Sequence, residues 1–70
     1  MILLALLFGK HAREQMISRG INEKEVDEGI RCGSKHIQEP DKIVSEYQYF
    51  AVVYKKVGDD TFVMTVKPRW

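Results

Sequence analysis

The stretch KHAREQMISRG, residues 10–20, holds three side chains of types that do chemistry: His11, Arg13 and Arg19. An imidazole titrates near neutrality, so His11 can give or take a proton. A guanidinium offers a planar fork of donors that grips phosphate oxygens in pairs. Metal-free cleavage of RNA needs such parts: a base for the 2′-hydroxyl, a cation for the phosphorane and an acid for the leaving oxygen. A plainer reading assigns the same residues to folding. His11 then hydrogen-bonds the start of a helix, and the arginines lie on a solvated face or pair with Glu14, Glu23 or Glu46. On a helix Arg13 is offset from His11 by roughly 200°. The three therefore cannot share one narrow stripe, and a site built on them must straddle the helix start and borrow strand residues such as Tyr54 or Lys67.

Other chemistry-bearing groups are scattered. YKKVGDD places Lys55 and Lys56 beside Tyr54, a combination that can meet RNA phosphate and stack a base. Lysines at a sheet edge also serve to block strand aggregation. Cys32 and His36 have a ligand-like spacing, but no convincing fourth ligand exists and a Gly-Ser joint separates them. No metal or cofactor is expected. Cys32 reads instead as a buried thiol and His36 as an exposed loop residue. VKPRW ends on Trp70, which can stack on a partner or pack back on the sheet.

The elements that must position these groups are legible from periodicity. MILLALLF is apolar without alternation. It reads as a strand covered on both faces, or with one face against another chain; a short buried helix is the other reading. Ala12, Met16 and Ile17 form the inner stripe of a first helix from Lys10. Gly20 is its expected left-handed stop, with Arg19 favourable to the helix dipole in the last turn. Asn22 and Glu25 make a capping-box pattern for a second helix, with Ile21 and Val26 in the positions of a hydrophobic staple. Gly33 ends that helix. GSKHIQEPDK, with Pro40, reads as a surface loop. KIVSEYQYFAVVYKKV supplies two strands broken near Glu46 to Gln48. VGDDT is a hairpin turn. TFVMTVKP alternates Phe62, Met64 and Val66 against Val63, Thr65 and Lys67, and Pro68 ends the strand.

Composition limits the functions open to the chain. Seventy residues make one domain, 1–70. Eleven basic residues against ten acidic ones leave a net charge of +1, so any polyanion site must be a local cluster rather than bulk charge. One cysteine permits no intrachain disulfide, which suits a reducing, cytoplasmic setting. The opening apolar run is too short for a membrane span and has no preceding basic residue of a secretory signal; no membrane partner is expected.

His11-Ala12-Arg13, then Met16, then Arg19-Gly20-Ile21 and an acidic stretch resemble the opening signature of a small prokaryotic family of unknown function, related by fold to RelE/ParE-like and BrnT-like toxins. The resemblance runs from about Phe8 to Pro68. It implies an α+β domain of RelE-like type: an N-terminal strand, a two-helix hairpin and about three antiparallel strands, with both helices on one face of a small sheet. It also implies RNA, and an antitoxin-like protein, as partners. RelE-like ribonucleases use basic and tyrosine side chains late in the sheet, whose counterparts here would be Tyr54, Lys67 and Arg69. The expected catalytic candidates are thus His11, Arg13 and Tyr54, and the expected RNA- or partner-binding residues are Arg13, Arg19, Lys55, Lys67 and Arg69. The expected function is an RNA- or partner-binding module. The alternatives are a metal-free endoribonuclease toxin and a structural subunit that forms oligomers. A homodimer through Ile2 to Leu7 is expected because two helices cover only one face of so small a sheet.

Overall fold

A computed structural model describes residues 6–38 and 40–69. The order is β1 (Leu6–Phe8), α1 (Lys10–Arg19), α2 (Glu23–Cys32), β2 (Ser34–Gln38), β3 (Lys42–Tyr47), β4 (Phe50–Val57) and β5 (Asp60–Pro68). The five strands form one sheet in the order β1-β5-β4-β3-β2. β2 to β5 are an antiparallel meander. β1 runs parallel to β5, with Leu7 opposite Phe62. Parallel pairing needs a crossover, and the two helices provide it.

The α+β class expected from the sequence is present, with one more strand than expected. Ser34 to Gln38, read as loop, is β2. Every residue in it is exposed, so no buried stripe marked it. Its ladder with β3, from Ser34–Glu46 to Gln38–Lys42, makes it a strand. The N-terminal strand reading holds for Leu6 to Phe8, at one edge of the sheet, where Leu7 is 44% exposed. The remainder of that expectation, the dimer contact through Ile2 to Ala5 included, lies outside the described residues. So does the end-stacking reading of Trp70.

The joint between the helices follows local rules. Gly20 adopts φ 70° and ψ 31°, the left-handed conformation that an L side chain resists. Asn22 Oδ1 accepts from the Glu25 amide at 2.8 Å, and Glu25 Oε1 accepts from the Asn22 amide at 3.1 Å. Both orphan donors are thereby satisfied. Ile21 and Val26 are buried, as a staple requires. Ile17 departs from expectation: it is 82% exposed, and Ala12 and Met16 alone form the buried stripe of α1. Gln15, beside that stripe, accepts the Val66 amide through its side-chain carbonyl at 3.0 Å and so ties α1 to β5.

The core lies between the helices and one face of the sheet. It contains Ala12, Met16 and Ile21, Val26 of α2, and Phe50, Val52, Tyr54, Val63 and Val66 from the strands. Strict alternation along β5 does not hold. Val53 pairs with Thr65 and Tyr54 with Val63, so Met64 is an extra residue in a bulge. The bulge brings both Val63 and Val66, three residues apart, into the core. Cys32, expected to be buried, is exposed at the end of α2.

Removing the Asn22 cap by Asn22→Ala costs about 1 kcal/mol. Gly20→Ala costs about as much through its left-handed φ. Urea unfolding midpoints lowered for both variants are expected; midpoints equal to wild type would contradict the reading of the joint.

Candidate nucleic-acid interface

Side chains alternate across the pleat, so the register decides what the helix-free face presents. Tyr54 belongs to the helix-side core, and its neighbour Lys55 therefore points the other way. On that open face Val44, Ala51 and Val53 form a second, small apolar cluster. These residues are buried although no helix covers them. Val44 lies between His36 and Val53, and Ala51 between Glu46 and Lys67. The longer side chains of this frame carry polar heads on apolar stems, which shield a small floor.

The frame is mainly cationic. Ile43 pairs with Tyr54, so one step further along the same register Lys42 lies across from Lys55. Like charges facing each other on a sheet repel unless an anion or solvent separates them. Lys55 has Phe62 as its partner on the other side. At the opposite end of the face, His36, Glu46, Lys67 and Arg69 line a groove of ≈350 Å³ floored by Val44 and Ala51. Arg69 is fixed there by three contacts. Its amide donates to the Tyr49 carbonyl at 3.2 Å, its Nη1 donates to the Gln48 carbonyl at 3.0 Å, and its Nε lies 3.8 Å from Glu46 Oε1. Gln48 takes φ 53° in this turn, and the guanidinium caps the carbonyl it turns outward. Lys67 has no ion-pair partner among the described residues. Among the described residues Glu46 is the one carboxylate of the groove; it is shared with Arg69, and Lys67 makes no ion pair there.

The structure sorts the sequence-derived site residues into two groups. Lys55, Lys67 and Arg69 share the open face, Lys67 and Arg69 together at one end and Lys55 toward the other. His11, Arg13 and Arg19 lie on α1, which packs on the other face. His11 is exposed and makes no hydrogen bond among the described residues. Arg13 lies 3.4 Å from Glu23 and 5.2 Å from the centre of the Phe8 ring, so it links α1 to α2 and to β1. Arg19 borders a separate groove with Ile21, Tyr49 and Pro68. Tyr54 is 2% exposed, with its ring in the core. Burial pushes its hydroxyl above the ordinary value of 10.0 and keeps it un-ionised. Sequence reasoning missed Lys42, Glu46 and His36. The alternation in KIVSEY held the signal for the first two, since Lys42, Val44 and Glu46 share one face.

Among the described residues no group of three His, Cys, Asp or Glu side chains could hold a metal ion. Nor is any described helix long and apolar enough to cross a membrane.

The Tyr54 shift has a stability consequence. The folded state holds this proton more tightly than the unfolded chain. Its contribution is therefore complete below about pH 10 and is lost as pH rises through the higher folded value. Denaturation curves should show wild type losing more stability than Tyr54→Phe above about pH 10; identical pH dependence in the two proteins would contradict burial of a neutral phenol.

Residues 8–67 match the family model described as a domain of unknown function, DUF4258, and the chain belongs to that family. The fold is similar to the solution structure of a conserved hypothetical protein, HP0894, from Helicobacter pylori. The TM-score is 0.63 at 12% identity, over 96% of each chain. No curated protein matches the sequence.

Proposed function

We propose that this DUF4258 chain is a small RNA-binding module that meets its ligand on the open face of the sheet. The observation that carries the reading is that Lys42 and Lys55 at one end, and Lys67 and Arg69 at the other, share one face that no described element covers, in a protein with a net charge of only +1. Lys67 is free for phosphate, and Lys55 and Lys42 relieve their mutual repulsion by sharing one. A sheet face with cations around a shallow apolar floor suits an extended single strand, whose backbone follows the charges without readout of base sequence. The likeness of His11-Ala12-Arg13 and Arg19-Gly20-Ile21 to a family related by fold to RelE-like proteins points in the same direction. An antitoxin-like protein would compete with RNA by covering the same cations. Self-association through β1 would leave them free, because β1 is at the edge of the sheet.

A second reading, metal-free RNA cleavage, has one observation in its favour. The groove of Lys67 and Arg69 also contains an imidazole, His36, and a carboxylate, Glu46, which are the proton-transfer groups such a reaction needs. Loss of cleavage in Glu46→Gln with RNA affinity retained would select this reading. RNA left intact by wild type would dismiss it and keep the binding module.

Titration of a short single-stranded RNA tests the binding reading. The affinity should fall steeply with salt. Lys55→Ala and Lys67→Ala should each weaken binding and each lower the slope of log K against log salt by about 0.7. Slopes unchanged in both variants, or no binding by wild type at low salt, would contradict it.

A further inference from the structure

On the helix side of the sheet, remote from the proposed RNA face, a groove of ≈450 Å³ opens between the last turns of α2 and the β1 end of the sheet. Tyr54 lines it. The side chain is almost wholly buried, yet its hydroxyl makes no hydrogen bond among the described residues and is not sealed from the groove. Tyr54 shares this groove with Arg31, Lys35 and Lys56, and Asp27 is its one carboxylate among the described residues.

Each of these cations is held in a way that leaves donors free. Arg31 Nε donates to Asp27 Oδ2 at 3.2 Å, its Nη2 lies 3.2 Å from the same oxygen, and its Nη1 has no partner among the described residues. Lys35 Nζ lies 3.3 Å from the carbonyls of Arg31 and Gly33, which pins the ammonium at the end of α2. Lys56 has no ion-pair partner among the described residues. Leu6 and Ile30 provide an apolar wall beside these donors.

We propose that this groove binds a small phosphate monoester with an organic body about as large as a mononucleoside. The Tyr54 hydroxyl donates to the phosphate, Lys56 and Arg31 grip its other oxygens, and the body lies against Leu6 and Ile30. A carboxylate presents two oxygens in one plane and a single charge, whereas a phosphate monoester presents three free oxygens in three directions and a charge near −2, which suits several cations set around one groove. The volume is in the range of small-molecule sites and exceeds what a bare phosphate fills. This site shares no residue with the open face, so it stands or falls independently of RNA binding there.

The test is a titration of the full chain with adenosine monophosphate, inorganic phosphate, adenosine and acetate at constant ionic strength, followed by amide chemical shifts. The expected result is saturable shifts at Arg31, Lys56 and Thr61, with the monophosphate binding at least about tenfold more tightly than phosphate or adenosine and acetate without effect. Tyr54→Phe keeps the core ring, and Lys56→Ala is a surface change; each should weaken the monophosphate at least about threefold, while Lys67→Ala leaves it unchanged. Shifts centred on the open face, equal effects of acetate and phosphate, or full affinity retained in both Tyr54→Phe and Lys56→Ala would overturn the proposal.

Discussion

The close seating of α2 on β3 and β4 is the contact on which the rest of the arrangement depends. Gly29 makes it possible. A Cβ there would be 3.2 Å from the Phe50 ring and 3.4 Å from Tyr47 Cβ. With no side chain in the way, the Ser45 hydroxyl donates to the Gly29 carbonyl at 2.5 Å, inside the core. Phe50 is fully buried under the helix and meets Tyr47 and Tyr49 edge to face. This contact decides which face of the sheet is covered. Once Phe50, Val52 and Tyr54 are committed to the helices, alternation assigns Ala51, Val53 and Lys55 to the other side.

The two faces of the sheet thereby acquire different roles. The helix side holds nearly all the large apolar side chains. The open side has Val44, Ala51 and Val53 as its small buried floor, with Phe62 beside Lys55 and Leu7 next to it toward the β1 edge, a flat and partly shielded surface rather than a second core. Cations can lie there because no described element packs on them. The arginines of α1 and α2 are spent differently: Arg13 bridges to Glu23 and Phe8, and Arg31 to Asp27. Exposed pairs of this kind contribute little to stability.

The sequence was most legible where structure is local. Asn22, Glu25, Ile21, Val26 and Gly20 each have one physical role, and each takes it. Legibility failed where pairing or packing overrides pattern. Ser-Lys-His-Ile-Gln has no buried stripe and becomes a strand only because β3 offers a free edge; even Ile37 is 76% exposed there. Ile17 falls next to the stripe of Ala12 and Met16 but stays 82% exposed. Met64 was expected in alternation with Phe62 and Val66, and a bulge, which no local signal announces, displaced it. For the candidate site, Lys55, Lys67 and Arg69 were readable as cations. Their placement on one face was not, because it rests on the register between β4 and β5. The separation of Tyr54 from Lys55 was readable, since adjacent strand residues point to opposite faces.

The central claim is that the uncovered face is the one that meets RNA. Amide chemical-shift mapping with a short single-stranded RNA oligonucleotide at low salt tests it most directly. The expected result is a set of perturbations concentrated on β3, β4 and β5 around Lys42, Lys55, Lys67 and Arg69, with α1 nearly silent. Perturbations centred on His11, Arg13 and Arg19 would contradict it, and would move the interface to the helix that carries those three residues.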